Sequence, residues 1–87
     1  MGWFDDFLND DADIRCRDEV VYKAVMQRCK ELGLTMADGQ EPNTRPYIKG
    51  DCMVCIDKRI IVMYTPYKGL NRHVIPVSQD MIDELEE

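Results

Sequence analysis

Two short apolar segments, separated by a charged pair, form the most regular hydrophobic pattern in the chain. The segments cover residues 52–56 and 59–65 and are rich in Val, Ile and Tyr, while Asp57 and Lys58 lie between them. Short β-prone segments on either side of a polar pair predict a β-hairpin, here over residues 52–65. Because Asp-Lys is not a favoured turn dipeptide, the sequence leaves the turn type open, and the register open by one residue.

A two-residue loop would determine which hairpin residues face each other. On one side the pairs would be Ile56 with Arg59, Val54 with Ile61 and Cys52 with Met63, and on the other Cys55 with Ile60 and Met53 with Val62. Both sides are apolar near the middle, whereas a half-exposed hairpin alternates. We therefore expect a helix to cover one side, and the N-terminal segment or a partner chain to contact the other.

Apolar residues at helical spacing predict the main helix over about residues 18–32. The stripe consists of Val21, Val25, Cys29 and Leu32. Asp18 is a suitable N-cap, and Gly33 suits the left-handed position after the last turn. Packing of this helix on the hairpin should bury Val21, Val25, Cys29, Leu32, Val54, Ile61 and Met63.

Shorter elements complete the predicted fold, an α+β domain over residues 1–87. The amphipathic residues 2–8 predict a short N-terminal helix, and Ser78 is a suitable cap for a C-terminal helix that follows it. Residues 73–77 read as a strand, and Pro76 limits it to a sheet edge because proline has no N–H. The expected sheet is small and antiparallel, with the hairpin 52–65 and the edge strand 73–77 packed against the main helix.

Composition and charge narrow the class of protein. The chain has 87 residues, 45% of them hydrophobic, and a formal charge of −6. A chain of this size buries a limited core, and its acidity disfavours a general affinity for nucleic acid or anionic membrane. No apolar run is long enough for a signal peptide or a membrane span. We therefore expect a cytoplasmic protein with reduced cysteines and no membrane contact.

No arrangement of residues predicts catalysis. Cys52 and Cys55 have the CxxC spacing of half a zinc site, but the chain has neither a second CxxC nor a pair of histidines. His73 is the only histidine, and no nucleophile motif accompanies it. We predict a non-enzymatic protein with no catalytic residues, no bound metal and no cofactor. A metal-binding or small enzymatic domain around Cys52, Cys55 and His73 is the alternative.

Charge is unevenly distributed along the chain. Residues 1–13 and residues 78–87 each contain five acidic residues and no basic one, while residues 14–77 contain eleven Lys and Arg against seven Asp and Glu. Regularly spaced carboxylates can take the place of phosphates on a basic protein surface. In size, acidity and compactness the chain resembles the small acidic inhibitors that phages and mobile elements encode, and it carries no motif of a particular family.

The leading functional hypothesis is therefore a small acidic domain that binds another protein with a basic surface. Its most concrete form is an inhibitor or modulator of a nucleic-acid-handling enzyme that mimics nucleic acid. Aromatic residues are favoured at interface centres, so the N-terminal segment is the predicted site. The predicted apolar anchors are Trp3, Phe4 and Phe7, and the predicted electrostatic contacts are Asp5, Asp6, Asp10 and Asp11.

Two further hypotheses concern other surfaces. The basic middle of the chain could bind RNA or DNA directly, although the overall charge disfavours this. Its candidate residues are Arg45, Lys49, Lys58, Arg59, Lys68 and Arg72, with Tyr47, Tyr64 and Tyr67 for stacking on bases. A homodimer could instead cover the second side of the hairpin or join two edge strands.

Overall fold

A five-stranded sheet organises the part of the chain that the structure describes. A computed structural model describes residues 2–42, 45–63 and 73–85, with the side chain of Met63 excepted. The elements are α1 (Trp3–Leu8), β1 (Asp13–Cys16), α2 (Glu19–Glu31), β2 (Thr35–Met36), β3 (Cys52–Ile56), β4 (Arg59–Met63), β5 (Val74–Val77) and α3 (Gln79–Leu85). The described residues thus form an α+β fold, and none of their helices has the length and apolarity needed to cross a membrane.

The sheet is mixed, so the prediction of a small antiparallel sheet is wrong in this respect. Its strand order is β2-β4-β3-β1-β5. β3 is antiparallel to both β4 and β1, whereas β1 pairs with β5 and β2 with β4 in parallel. All strands except β3 therefore run in one direction. Parallel strands need a crossover connection, and α2 supplies it between β1 and β2.

Strand β1 lies inside the sheet, between the central strand β3 and the edge strand β5, and was not predicted. Its residues alternate: Ile14 and Cys16 are buried on the helix side of the sheet, while Arg15 is exposed. Asp13, at its start, is also buried. The acidic residues that precede β1 suggested a surface segment, and this obscured the alternation that is typical of a strand.

The hairpin is confirmed over residues 52–63, with the register that a two-residue loop requires, and residues 64 and 65 of the prediction lie outside the described part of the chain. Val54 pairs with Ile61, and Met53 with Val62. Asp57 and Lys58 both have positive φ, 51° and 64°, as a two-residue hairpin turn of type I′ requires. Neither residue is Gly or Asn, so the turn adopts a left-handed backbone that is unfavourable for its side chains.

Replacing Lys58 by Gly is expected to raise the free energy of unfolding by about 0.5–1 kcal/mol, because Gly adopts positive φ without the steric penalty of a Cβ atom. The main-chain carbonyl of Lys58 would remain to accept the amide of Thr35 at 3.2 Å. A matched Arg59→Gly variant, one residue further along in β4, should lower stability. Urea denaturation checks both variants, and equal losses would contradict the account of the turn.

Helix α2 confirms the predicted main helix, including both of its ends. The Asp18 side chain accepts the amide of Val21 at 3.0 Å and caps the start. At the other end Gly33 has φ +80°, its amide donates to Lys30, and the Leu34 amide donates to the Cys29 carbonyl. These two bonds form the Schellman motif that the position of the glycine predicts.

The core lies between the helices and one face of the sheet, but that face is not the expected one. Met53, Cys55 and Ile60 pack against α2 and belong to the main cluster. Val54 is buried on the opposite side, and Ile61, its cross-strand neighbour, is only half-buried.

The predicted core list is correct for the helix in three of its four positions. Burial holds for Val21, Val25 and Cys29. Leu32 is instead 51% exposed, because the chain turns away at the end of α2. The side chain of Met63 lies outside the described part of the structure.

Candidate binding surfaces at the two ends of the sheet

The N-terminal helix is part of the core, which changes the role of two predicted anchor residues. Phe4 and Phe7 are 6% and 0% exposed, and their ring centroids lie 6.0 Å apart. Both belong to the same cluster as the residues of α2. A partner cannot reach them in this fold, so they are not available as interface anchors. Trp3 is half-buried and contacts Phe4 edge-on, with 5.4 Å between centroids.

The predicted electrostatic contacts lie on α1 and on the turn that follows it. We call Asp5, Asp6, Asp10 and Asp11 the acidic cap. Asp5, Asp6 and Asp11 are exposed, and Asp10 is half-buried. Asp10 also has interactions within the chain, so its carboxylate is not a free charge.

Backbone hydrogen bonds hold the acidic cap in one conformation. The amide of Asp11 donates to the carbonyl of Asp6 at 2.8 Å, and the amide of Asp10 to that of Phe7 at 3.2 Å. Asp10 has φ +62°. This is the same Schellman geometry that ends α2, with an aspartate in the left-handed position where α2 has Gly33. The acidic cap is therefore a fixed surface that continues from the core through Phe7.

A second acidic surface lies on α3, which packs against α2 rather than against the sheet centre. Its exposed carboxylates belong to Asp80, Asp83 and Glu84. Ile82 on the same helix is buried, and Met81 and Leu85 are half-buried, as the predicted apolar face requires. This surface offers a natural comparison for the acidic cap, since each carries three exposed carboxylates among the residues that the structure describes.

A groove with basic side chains lies at the opposite end of β1 from the acidic cap. It forms where the parallel strands β1 and β5 reach their carboxyl ends and the chain continues into α2 and α3. We call it the basic groove. Its volume is about 260 Å³, and it is lined by Arg15, Cys16, Arg17, Tyr47, Lys49, Gly50, Pro76, Val77 and Ser78.

Contacts with β1 and α2 hold the loop that supplies one wall of the basic groove. The Tyr47 hydroxyl donates to the carbonyls of Cys16 and Arg17, at 3.1 and 3.3 Å. The Tyr22 hydroxyl donates to the Arg45 carbonyl at 2.9 Å, and the two tyrosine rings lie 5.4 Å apart. Tyr47 is therefore fixed beside the end of β1, and its ring borders the groove.

The same loop contains a buried carboxylate that is paired with Arg45. Asp51 is 8% exposed, and its Oδ2 lies 3.2 Å from a guanidinium nitrogen of Arg45. Breaking such a pair from one side leaves a buried charge without compensation. The Arg45 side chain, which the sequence offered as a contact for nucleic acid, therefore stabilises the loop through its ion pair with Asp51.

The predicted basic middle does not form one surface. Lys49 lies at the basic groove, near the start of β3. Lys58 and Arg59 lie at the hairpin turn, at the other end of β3, which faces the acidic cap. Lys68 and Arg72, with Tyr64 and Tyr67, lie outside the described residues. Arg15 and Arg17, which the sequence did not single out, join Lys49 because strand pairing brings β1 beside the start of β3.

The CxxC pair cannot chelate one metal ion, because residues three apart on a strand face opposite sides of the sheet. Cys55 belongs to the core cluster on the helix side, and Cys52 does not. The Sγ atom of Cys52 instead lies 3.2 Å from a guanidinium nitrogen of Arg15. Among the residues the structure describes, no three His, Cys, Asp or Glu side chains lie close enough to share a metal. His73 is exposed, and its carbonyl accepts the amide of Asp13.

Three thiols of the core are held in the protonated form. Burial, followed by the charge of Asp18, raises the pKa of Cys16 to about 12. Burial also raises the pKa of Cys29 to about 12, with smaller contributions from neighbouring thiols. The pKa of Cys55 is raised as well, first by burial and then by the Asp10 charge. These thiols serve as small apolar side chains.

These pKa values predict a loss of stability at alkaline pH. The unfolded chain releases the thiol protons near pH 9, whereas the folded chain keeps those of Cys16 and Cys29 up to about pH 12. Between these values deprotonation favours the unfolded state, by about 1.4 kcal/mol per thiol for each pH unit. Urea midpoints under reducing conditions should fall above pH 9, and less steeply for Cys29→Ala. Parallel slopes for the two proteins would contradict this assignment.

Comparison with known proteins gives no match. No family model fits the chain, and neither a curated protein nor a solved structure matches it significantly. The candidate surfaces therefore rest on the geometry and charges described above.

Proposed function

We propose that the protein acts by binding a basic surface of another protein through the acidic cap. In its most concrete form it is a phage-type inhibitor or modulator of an enzyme that handles nucleic acid. The carboxylates of Asp5, Asp6 and Asp11 occupy positions on the partner that phosphates would otherwise contact. Attraction between opposite charges steers the encounter, and salt weakens it.

The observation that supports this proposal best is the backbone of Asp10. A non-Gly residue in the left-handed region costs about 1 kcal/mol, and like charges close in the sequence repel one another. Stability alone would favour Gly at this position, as in the equivalent turn after α2. Aspartate tolerates this backbone better than most residues, and the hairpin turn shares it; at Asp10 its consequence is that neighbouring carboxylates are held in a fixed arrangement, as a binding surface requires.

The apolar part of the proposed interface is smaller than the sequence suggested. Phe4 and Phe7 are buried beneath α1, and Trp3, which is half-buried, is the remaining predicted anchor that a partner could contact. We therefore expect charge to dominate recognition. Such interfaces associate quickly and show a strong dependence on ionic strength.

A homodimer through the edge strand β5 is less well supported. The amides of Asp13 and Arg17 donate to the carbonyls of His73 and Val77, so these two residues face β1. Val74 and Pro76 alternate with them and face away from β1, on the side of β5 where no strand of the described residues pairs. Pro76 has no N–H to offer there, and an edge with a missing donor is a poor template for a second strand.

The experiment compares two triple variants with equal net charge. One carries Asp5→Asn, Asp6→Asn and Asp11→Asn in the acidic cap, and the other carries Asp80→Asn, Asp83→Asn and Glu84→Gln on α3. Each removes three exposed carboxylates, so their total charges remain identical. Immobilised wild type and variants would capture proteins from an extract of the source organism, and captured proteins would then be purified and tested singly.

The proposal predicts that a basic nucleic-acid-binding protein binds the wild type and the α3 variant but not the cap variant. The complex should dissociate as salt approaches 1 M, where charges are screened beyond about 3 Å. The purified partner should lose activity on its nucleic acid when the wild type is added. Equal binding of both variants to every purified partner would overturn the proposal.

A further inference from the structure

We infer that the basic groove binds a nucleotide unit, with the phosphate held by Arg17 and Lys49 and the base placed against Tyr47. This site is separate from the acidic cap and does not depend on the function proposed for it. It differs from the set of contacts predicted for the basic middle, because two of its three cations, Arg15 and Arg17, were not among them and come from β1 and the residue that follows it.

The position of the groove in the fold is the first argument. In open sheets, ligands bind outside the carboxyl ends of parallel strands, where the chain leaves the sheet. β1 and β5 are parallel neighbours, with Cys16 opposite Val77 at their ends. Both residues line the groove, so it opens at the carboxyl ends of these two strands, although α2 and α3 lie on one side of the sheet and the position is not a topological switch point.

Three exposed cationic side chains around the groove favour an anion, although the surface of the groove itself is mainly apolar. Arg15, Arg17 and Lys49 are exposed, and neither Arg17 nor Lys49 forms an ion pair with another residue in the described part of the chain. The start of α2 is nearby, but the Asp18 side chain already accepts the Val21 amide. The anion would therefore be held by the cationic side chains. A phosphate is suited to this because it can accept bonds from more than one of them.

The floor and wall of the groove indicate a flat, apolar ring next to that anion. Pro76, Val77 and Gly50 present apolar surface, and the Tyr47 ring borders it with its hydroxyl directed to the β1 backbone. Bases stack on aromatic side chains with little dependence on sequence. At about 260 Å³ the groove is smaller than the roughly 300–1,000 Å³ of common ligand pockets, so it fits one ring rather than an extended ligand.

A free mononucleotide and the end of a nucleic-acid strand share this chemistry. The net charge of −6 opposes the approach of a polyanion. A single phosphate is repelled much less. The test therefore uses both sources, with AMP for the free nucleotide and a six-residue oligodeoxyadenylate for the strand.

The experiment is an NMR titration of the isotope-labelled full chain. AMP should shift the amide signals of Arg17, Tyr47, Lys49 and Gly50 in a saturable way, and adenosine or inorganic phosphate alone should bind more weakly. Arg17→Gln and Lys49→Gln should each weaken AMP binding about threefold to fivefold, as expected for exposed charge pairs. The matched control Lys58→Gln, at the other end of the sheet, should leave it unchanged.

The outcomes separate the possible ligands. Tighter binding of the oligonucleotide than of AMP, with loss in the same two variants, supports the site and identifies a strand end as the source. Binding of an acidic hexapeptide as tight as that of AMP would overturn the nucleotide assignment. Non-saturable shifts at millimolar AMP, or equal weakening by Lys58→Gln, would overturn the site itself. The cap variant that carries Asp5→Asn, Asp6→Asn and Asp11→Asn should bind AMP at least as well as wild type. The nucleotide site and the acidic cap can therefore fail their tests independently of each other.

Discussion

Replacing Phe7 by Ala is expected to lower the free energy of unfolding by about 3–5 kcal/mol, the range for a fully buried phenylalanine. Phe7 has no exposed surface and joins α1 to the core cluster. A domain of this size has a free energy of unfolding of only about 5–10 kcal/mol. A large fraction of the variant molecules should therefore be unfolded at moderate urea concentrations. The urea midpoint, followed by circular dichroism, measures this loss.

Trp3→Ala is the matched control for Phe7→Ala, since both residues lie on α1. Trp3 is half-buried, and its replacement should lower stability by about 1 kcal/mol. If the two variants had equal midpoints close to that of wild type, Phe7 would not be in the core. That result would support the original prediction that Phe7 is an interface anchor.

A second large effect is expected for Ile60→Ala, which should lower stability by about 2–5 kcal/mol. Ile60 is fully buried on the helix side of the sheet, opposite Cys55 and beside Met36. Its neighbour Ile61 is half-buried on the other side, so Ile61→Ala should cost clearly less. The two substitutions remove the same atoms one residue apart and report directly which face of the hairpin the helices cover.

Chemical denaturation of both isoleucine variants provides the measurement. The account requires Ile60→Ala to have the lower midpoint, with an unchanged dependence on urea concentration. The reverse order would place the helices on the Val54 side of the hairpin, as the sequence alone had suggested. That result would contradict the packing of α2 on Met53 and Cys55.

Local patterns in the sequence predicted the elements that depend on short-range physics. The hairpin register follows from loop length, and the ends of α2 follow from Asp18 and Gly33, because capping is decided within a few residues. The edge position of β5 follows from Pro76, which has no donor for a second neighbour. Each of these predictions is confirmed by hydrogen bonds or pairing in the structure.

Strand pairing and helix packing between distant parts of the chain could not be predicted from such local patterns. Both faces of the hairpin are apolar, so periodicity did not decide which face α2 covers. β1 and β2 are short, four and two residues, and their parallel partners lie far away in the sequence. Pairing over such separations depends on the packing of the whole chain, which local propensity does not encode.

The two candidate sites also differ in whether local sequence could predict them. The acidic cap could be found from composition, since its aspartates are consecutive or nearly so, although burial of Phe4 and Phe7 removed its expected apolar half. The basic groove could not be found, because Arg15 and Lys49 are far apart in the chain and meet only through the pairing of β1 with β3. The alternation of apolar residues with Asp13 and Arg15 was the one available signal for β1.

The proposed function depends on the rigidity of the acidic cap, as a surface built on the core. Backbone ¹⁵N relaxation of residues 9–12 tests it most directly, together with the amide–Hα coupling that reports the sign of φ at Asp10. The account predicts order parameters of about 0.85, equal to those of β1, and a positive φ at Asp10. Order parameters below about 0.6 over these residues would contradict it, because the aspartates would then belong to a flexible tail.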